Sequence, residues 1–181
     1  ACCQQAGPAK HSPSARGTFL TKDLNVWTAA GAAALDMDGW RKGEASLDRR
    51  DFAGAAAPAE DGRGGCTALD LARQHDFSVV ATILPQGDKL VGFFDVFATQ
   101  ATIEAEGANA LRAWRDAGLI HQCDGYLMDF DAIEACVREH KDHFGAPEIA
   151  YDPHFAAQMA QNLEAQYPDA LVEVRNTPMT L

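Results

Sequence analysis

The sequence has no long apolar run, and no N-terminal segment in which positive charge precedes an apolar stretch. A membrane-spanning helix needs about 20 mostly apolar residues, and a secretory signal needs a charged segment followed by an apolar one. Neither is therefore predicted, and the expected location is the cytoplasm. The apolar fraction of 47% in 181 residues is ordinary for a soluble protein and is enough for one domain with a sizeable core.

Paired cysteines are also scarce. Of the five cysteines, Cys66, Cys123 and Cys136 stand alone, and Cys2 and Cys3 are adjacent. This is not the spacing of a zinc site or of a small disulfide-linked domain, so reduced thiols are expected. The six histidines show no zinc-binding spacing either, and surface or helix-end positions explain them.

Positive charge is in short supply. The chain has 15 Lys and Arg against 26 Asp and Glu, which gives a formal net charge of -11 at pH 7. This balance disfavours nucleic-acid binding through a broad basic surface, because such binding depends on neutralised phosphates. It is compatible with an active site built from carboxylates and divalent cations, provided that another domain supplies the basic surface.

Composition divides the chain into three parts. Residues 1–17 are small and polar and indicate a linker or the tail of an upstream domain. Residues 18–65 indicate a compact lead-in segment followed by a loop. Residues 66–181 carry regular patterns and form the predicted domain.

Three short apolar runs open this domain, and the turn residues between them predict an antiparallel meander. The strands are predicted over residues 66–72, 77–84 and 89–97. Two later strands are predicted over residues 147–152 and 170–174. Because the chain reaches residues 147–152 through helices, this strand should run parallel to an earlier one.

Helical spacing of apolar residues predicts three helices. They cover residues 103–117, capped by Thr102, residues 131–144, followed by Gly145, and a segment from Pro153 to about Gln166. A short extended piece is predicted at residues 126–128. The order of elements predicts an α/β fold in which a mixed sheet, made of the meander and parallel strands, is flanked by helices.

Two acids occupy apolar strands of this domain. An ionised Asp70 is costly to bury unless it is paired or binds a cation, although it could instead accept hydrogen bonds from the turn that follows. Asp152 ends another apolar strand and could instead cap a helix ahead of Pro153. If the two strands are neighbours, both acids emerge at one edge. The strand spacing of about 4.8 Å suits carboxylates that bridge two metal ions about 3.5–4 Å apart.

Four blocks of the sequence are informative as an ordered set. They comprise residues 19–27, residues 69–72 followed by 76–78, residues 114–119, and residues 149–153. In order and spacing, over residues 19–181, they resemble the nuclease part of the large terminase subunits of tailed phages. This resemblance implies an RNase H-like fold and a divalent-metal-dependent endonuclease that cuts concatemeric DNA during genome packaging.

The resemblance also implies roles for particular acids. Asp70 and Asp152 are the implied catalytic metal ligands, and Asp76 is an auxiliary ligand whose alternative role is to cap the turn between the first two strands. Two Mg²⁺ or Mn²⁺ ions are the implied cofactors, because all the ligands are oxygens. Asp129 lies in a similar block, yet N-capping of the next helix explains it.

The implied partners are double-stranded DNA, the small terminase subunit, the portal protein and further copies in a homo-oligomeric motor. The implied location is the cytoplasm of the bacterial host, with no membrane contact. Terminases carry an ATPase motor, but its G-x-x-x-x-G-K-[ST] loop is absent from the sequence. The family's further acid is expected beyond Leu181, so the chain is expected to be a fragment, truncated at both ends, with an incomplete metal site. The alternative function is a non-catalytic module of the same fold that positions DNA or docks a protein.

Overall fold

The computed structural model describes residues 42–43, 47–58 and 64–174. The Cys2 and Cys3 pair and the terminase-like block at residues 19–27 lie outside the described residues. The chain divides into two compact units, Ala1–Leu47 and Asp48–Leu181, and the second contains nearly all that is described. Its first described residues, 48–58, belong to the segment predicted as a lead-in. No helix in the described ranges has the length and apolarity needed to cross a membrane.

A six-stranded mixed sheet forms the centre of the second unit. Its strands are β1 Cys66–Asp70, β2 Ser78–Gln86, β3 Lys89–Thr99, β4 His121–Cys123, β5 Glu148–Tyr151 and β6 Leu171–Glu173. Their spatial order is β4-β3-β2-β1-β5-β6. Strand β2 is antiparallel to β1 and β3, and the other neighbouring pairs are parallel. The predicted meander and the predicted parallel strand near residue 150 are confirmed.

The helices of this unit, in chain order, are α1 Gln100–Glu104, α2 Asn109–Asp116, α3 Phe130–Phe144 and α4 Ala157–Gln166. A short 3₁₀ helix, Arg49–Phe52, precedes the sheet. Helix α3 has the boundaries that its sequence suggests. Asp129 caps its start by accepting a hydrogen bond from the backbone N–H of Ala132 at 3.0 Å, and Gly145 ends it with a φ of 70°. The predicted N-cap role of Asp129 is confirmed.

Three predictions were wrong between β3 and α3. The helix predicted over residues 103–117 is two helices, because Gly107 adopts a left-handed φ of 82° between them. Thr99, rather than Thr102, caps the first of these helices, accepting a hydrogen bond from the Thr102 N–H at 3.2 Å. The extended piece predicted at residues 126–128 is not a strand, and the short strand of this region is β4, which lies before it. A strand of three residues is too short to show an alternating pattern in the sequence.

Helices α3 and α4 cover one face of the sheet and form the main core with it. Buried side chains of β1, β2 and β5 meet buried side chains of both helices in one cluster, whose members include Leu69, Val80, Ile149, Ile133, Val137 and Leu163. Side chains alternate between the two faces along a strand. Since Leu69 enters this core, the next residue, Asp70, lies on the opposite face.

The 3₁₀ segment packs at the far end of the same sheet. Ala56 is fully buried in a second cluster with Leu84, Phe144 and Ala146. The N–H of Ala56 donates to the carbonyl of Phe144 at 2.7 Å, and the N–H of Gly65 donates to the carbonyl of Ala56 at 2.8 Å. Residues 48–58 are thereby attached to the domain, which places Arg49 beside the sheet.

Candidate active site

Strands β1 and β5 end side by side at one edge of the sheet. They are parallel, and their register pairs Leu69 with Tyr151. The next residue of each strand is one of the predicted acids, Asp70 and Asp152. Neighbouring strands lie about 4.8 Å apart, so the two acids occupy adjacent positions. The edge predicted from the sequence is therefore present, and the role of both acids as metal ligands stays a prediction.

Asp70 is an exposed carboxylate without a protein partner among the described residues. The turn that follows β1 does not donate to it. The N–H of Ala72 instead donates to the Ser78 hydroxyl at 2.9 Å. The alternative role of Asp70, as an acceptor for that turn, is thus not seen in the described part of the chain. Both of its oxygens remain able to accept a ligand.

Asp152 is half-buried and forms a local turn. Its Oδ1 accepts a hydrogen bond from the backbone N–H of His154 at 2.8 Å. Helix α4 begins only at Ala157, and the residue at its N-cap position, Ala156, makes no side-chain cap. The interpretation of Asp152 as a helix N-cap is therefore wrong. A carboxylate has about four lone-pair positions, so one N–H leaves most of them available.

Asp76 is exposed in the loop between β1 and β2. Its Oδ1 accepts a hydrogen bond from the N–H of Phe77 at 2.8 Å, which is the turn contact that was its alternative role. Asp70, Asp76 and Asp152 do not form a group whose ligand atoms all lie within 4.8 Å of one another. A two-metal site places ligands on both sides of ions about 3.5–4 Å apart, so wider spacing is compatible with it.

A further acid, Asp95, lies in the middle of β3 and was not predicted from the sequence. Its Oδ2 accepts a hydrogen bond from His140 Nε2 at 2.7 Å, and its Oδ1 lies 2.7 Å from His121 Nε2. Arg49 forms an ion pair with the same carboxylate. With Phe93 and Phe97, Asp95 shares the sheet face that packs on α3. Asp70 was singled out in the sequence because it is an acid within an otherwise apolar strand. The same signal could have indicated Asp95.

A chain of hydrogen bonds continues from Asp95 through α3 to β1. His140 Nδ1 lies 2.8 Å from the hydroxyl of Thr82, which lies 2.9 Å from the hydroxyl of Thr67. An ionised carboxylate only accepts, so Nε2 of His140 carries a proton and donates a hydrogen bond to Asp95. His140 is fully buried, so its interpretation as a surface or helix-end histidine is wrong.

Electrostatics explain why Asp95 stays ionised. Burial raises the pKa of Asp95, but hydrogen bonds from His140, Arg49 and His121, together with the charge of Arg49, outweigh it and hold that pKa well below its usual range. Nearby, burial raises the pKa of Cys136 to about 12, and the negative charges of Asp95 and Glu139 add to the effect.

Asp95, Cys136 and His140 are the group of potential metal ligands that converges among the described residues, with ligand atoms within 4.8 Å of one another. Metals bind the thiolate form of cysteine, which the raised pKa of Cys136 disfavours. Arg49 already supplies a positive charge to Asp95. We therefore assign this group to a buried ion-pair network.

Because the pKa of Asp95 is lowered, the stability of the domain should depend on pH in the acidic range. A carboxylate whose pKa is lowered by folding makes its full contribution to the free energy of unfolding above its unfolded pKa of about 3.9. This contribution is lost as pH falls through the folded pKa. We expect the free-energy difference between wild type and Asp95→Ala to be constant from about pH 7 to 5 and to shrink below about pH 4. Urea unfolding across this range measures it. A difference that stays constant down to about pH 2.5 would contradict the assignment.

The sheet order, with parallel β1 and β5 carrying acids at their ends, defines a mixed α/β domain of the RNase H-like class. The crystal structure of the HK97 bacteriophage large terminase has this fold, with a TM-score of 0.59 over 96% of this chain at 21% sequence identity. This chain spans 35% of that protein.

The family model "Terminase large subunit, endonuclease domain" matches residues 4–181. The chain therefore belongs to the endonuclease-domain family of terminase large subunits. No curated protein matches the sequence.

Proposed function

We propose that this domain is the metal-dependent endonuclease of a phage large terminase and that it cuts concatemeric double-stranded DNA during genome packaging. The observation that carries the proposal is the parallel pairing of β1 with β5, which places Asp70 beside Asp152. Family membership supports it. The proposed partners are DNA, the small terminase subunit, the portal protein and other copies in the motor, in the cytoplasm of the bacterial host.

The side chains at this edge fit Mg²⁺ or Mn²⁺. The carboxylate of Asp70 makes no hydrogen bond or ion pair with a described residue, and that of Asp152 accepts one from a backbone N–H. Carboxylate oxygens are the ligands that these hard cations prefer. When bound, two such ions activate water and stabilise the leaving 3′ oxygen of a phosphodiester.

The chain itself holds the two acids in place. Strand β1 is hydrogen-bonded on one side to β2 and on the other to β5, so the backbone of Asp70 belongs to the interior of the sheet. The turn bond from His154 fixes the carboxylate of Asp152. Ligands on rigid elements need little rearrangement when a cation binds, which favours a defined ligand geometry.

Mn²⁺ binding to the 181-residue chain, measured by isothermal titration calorimetry, tests the proposed site. Asp70→Asn and Asp152→Asn should each weaken binding about tenfold or more, because each replaces a charged ligand by a neutral one of nearly equal volume. Asp76→Asn should have a smaller effect, since we propose Asp76 as an auxiliary ligand only. Asp88→Asn is the matched control, because Asp88 is exposed in the β2–β3 turn at the opposite edge.

Two results would contradict this metal site. One is the absence of saturable Mn²⁺ binding by the wild-type chain. The other is binding that Asp70→Asn and Asp152→Asn change no more than Asp88→Asn does. Either result would favour the alternative of a non-catalytic module that positions DNA or docks a protein.

A further inference from the structure

Most basic side chains in the described part of the domain already contact other residues. The described residues from Asp48 to Val174 contain eight Lys and Arg. Six of them bind acids, amides or backbone carbonyls: Arg49, Arg50, Arg112, Arg115, Arg138 and Lys141. The side chains of the other two, Arg73 and Lys89, make no hydrogen bond or ion pair with a described residue. Both side chains are exposed.

These two basic residues lie at opposite edges of the sheet. Lys89 opens β3 beside the β2–β3 turn, where it pairs with Gln86. Arg73 lies in the β1–β2 loop, three residues after Asp70. Three residues of chain span at most about 11 Å, which corresponds to about three nucleotides of one DNA strand at 3.4 Å each. Among the described residues, Arg73 is therefore the cation without a side-chain partner at the edge that carries the proposed metal ligands.

The backbone at Arg73 is held on both sides. The N–H of Ala72 donates to the Ser78 hydroxyl at 2.9 Å, and that hydroxyl in turn donates to the Ala72 carbonyl at 3.3 Å. Ser78 is fully buried. The N–H of Met128, from the β4–α3 loop, donates to the carbonyl of Arg73 at 3.3 Å. The loop is thus anchored, while the guanidinium points to no partner among the described residues.

We propose that Arg73 binds a backbone phosphate of the DNA close to the scissile bond and so positions that strand over Asp70 and Asp152. This inference rests on the proposed function. A guanidinium carries its N–H donors in a planar fork that matches the oxygens of a phosphate. A chain with a net charge of -11 repels DNA, and a fixed cation beside the acids offsets that repulsion where the strand must approach.

The test is the salt dependence of duplex DNA binding by the 181-residue chain. Binding is measured by fluorescence anisotropy, with Ca²⁺ in place of Mn²⁺. Loss of one phosphate contact should make the slope of log K against log salt less negative by about 0.9. Arg73→Ala should show that change and bind about three- to tenfold more weakly in low salt. Arg73→Lys should keep the slope, because it keeps the charge. Lys89→Ala, which changes the net charge equally, should keep the wild-type slope.

Equal slopes for Arg73→Ala and Lys89→Ala would overturn the inference, as would the absence of measurable duplex binding by the wild type at about 50 mM salt. Mn²⁺ binding separates this failure from failure of the proposed function. Arg73→Ala should bind Mn²⁺ as the wild type does, because Arg73 pairs with no described acid. If Mn²⁺ binding does not depend on Asp70, the proposed metal site is contradicted. The phosphate contact of Arg73 is still decided by the salt slope of Arg73→Ala alone.

Discussion

Asp70→Asn and Asp152→Asn should each reduce Mn²⁺-dependent cleavage of supercoiled plasmid by at least about 100-fold. The physical reason is that each substitution removes a negative ligand from the proposed two-metal site. The ions then hold the attacking and leaving oxygens less well, and a loss of about 3 kcal/mol in transition-state stabilisation corresponds to about 100-fold in rate. The measurement is nicking by a full-length terminase large subunit that carries this domain, with Asp88→Asn as control.

Stability provides the second half of this test. Asp70 is exposed and has no partner among the described residues, so Asp70→Asn breaks no contact that the structure shows. The melting temperature of this variant should therefore equal that of the wild type within about 1–2 °C, since surface substitutions usually change stability by less than about 0.5 kcal/mol. Full cleavage by either variant, at unchanged stability, would remove that residue from the mechanism.

Asp95→Ala should destabilise the domain by about 3 kcal/mol. The Asp95 side chain is only 13% exposed, and its negative charge neutralises the positive charge of Arg49. His140, which donates a hydrogen bond to Asp95, is fully buried. Breaking a buried pair by removing one partner costs about 3–5 kcal/mol, because the other partner is left uncompensated. We choose the lower end because Arg49 remains 30% exposed to water.

Asp116→Ala is the matched control for this change. Asp116 also pairs with an arginine, Arg115, at 2.8 Å, but its side chain is 67% exposed. An exposed ion pair contributes about 0–1 kcal/mol, so little change is expected. Urea unfolding near neutral pH gives both free energies. If the two variants lose the same small amount, the Asp95 network does not stabilise the fold as we describe.

The sheet could be predicted well because its strands are apolar and separated by turn residues. The order of β1, β2 and β3 followed from short turns, and the parallel β5 followed from the helices that precede it. The helical region after β3 could not be predicted, because Gly107 interrupts an apolar pattern that otherwise continues. Sequence patterns report which face of a helix is apolar more reliably than they report where it breaks.

The acids of the candidate site illustrate the same limit. Asp70 and Asp152 were predicted as metal ligands partly because each interrupts or ends an apolar strand, which is a property of neighbouring residues in sequence. Asp95 also interrupts an apolar strand, but its role in an ion pair could not be predicted from neighbouring residues, because its partners Arg49 and His140 are 46 and 45 residues away in the chain. Local spacing could still have indicated His140, which continues the buried stripe of Ile133, Val137 and Phe144 along α3.

The hydrogen bonds of His140 also determine how α3 can sit on the sheet. Apolar contacts are non-directional, so a helix held only by them can slide or rotate at modest cost. His140 instead makes two directional bonds, one to Thr82 of β2 and one to Asp95 of β3, which fix both the rotation and the axial position of the helix. We infer that apolar side chains along α3 can be exchanged for others of similar volume, whereas an apolar residue at position 140 would leave the helix free to settle in more than one register.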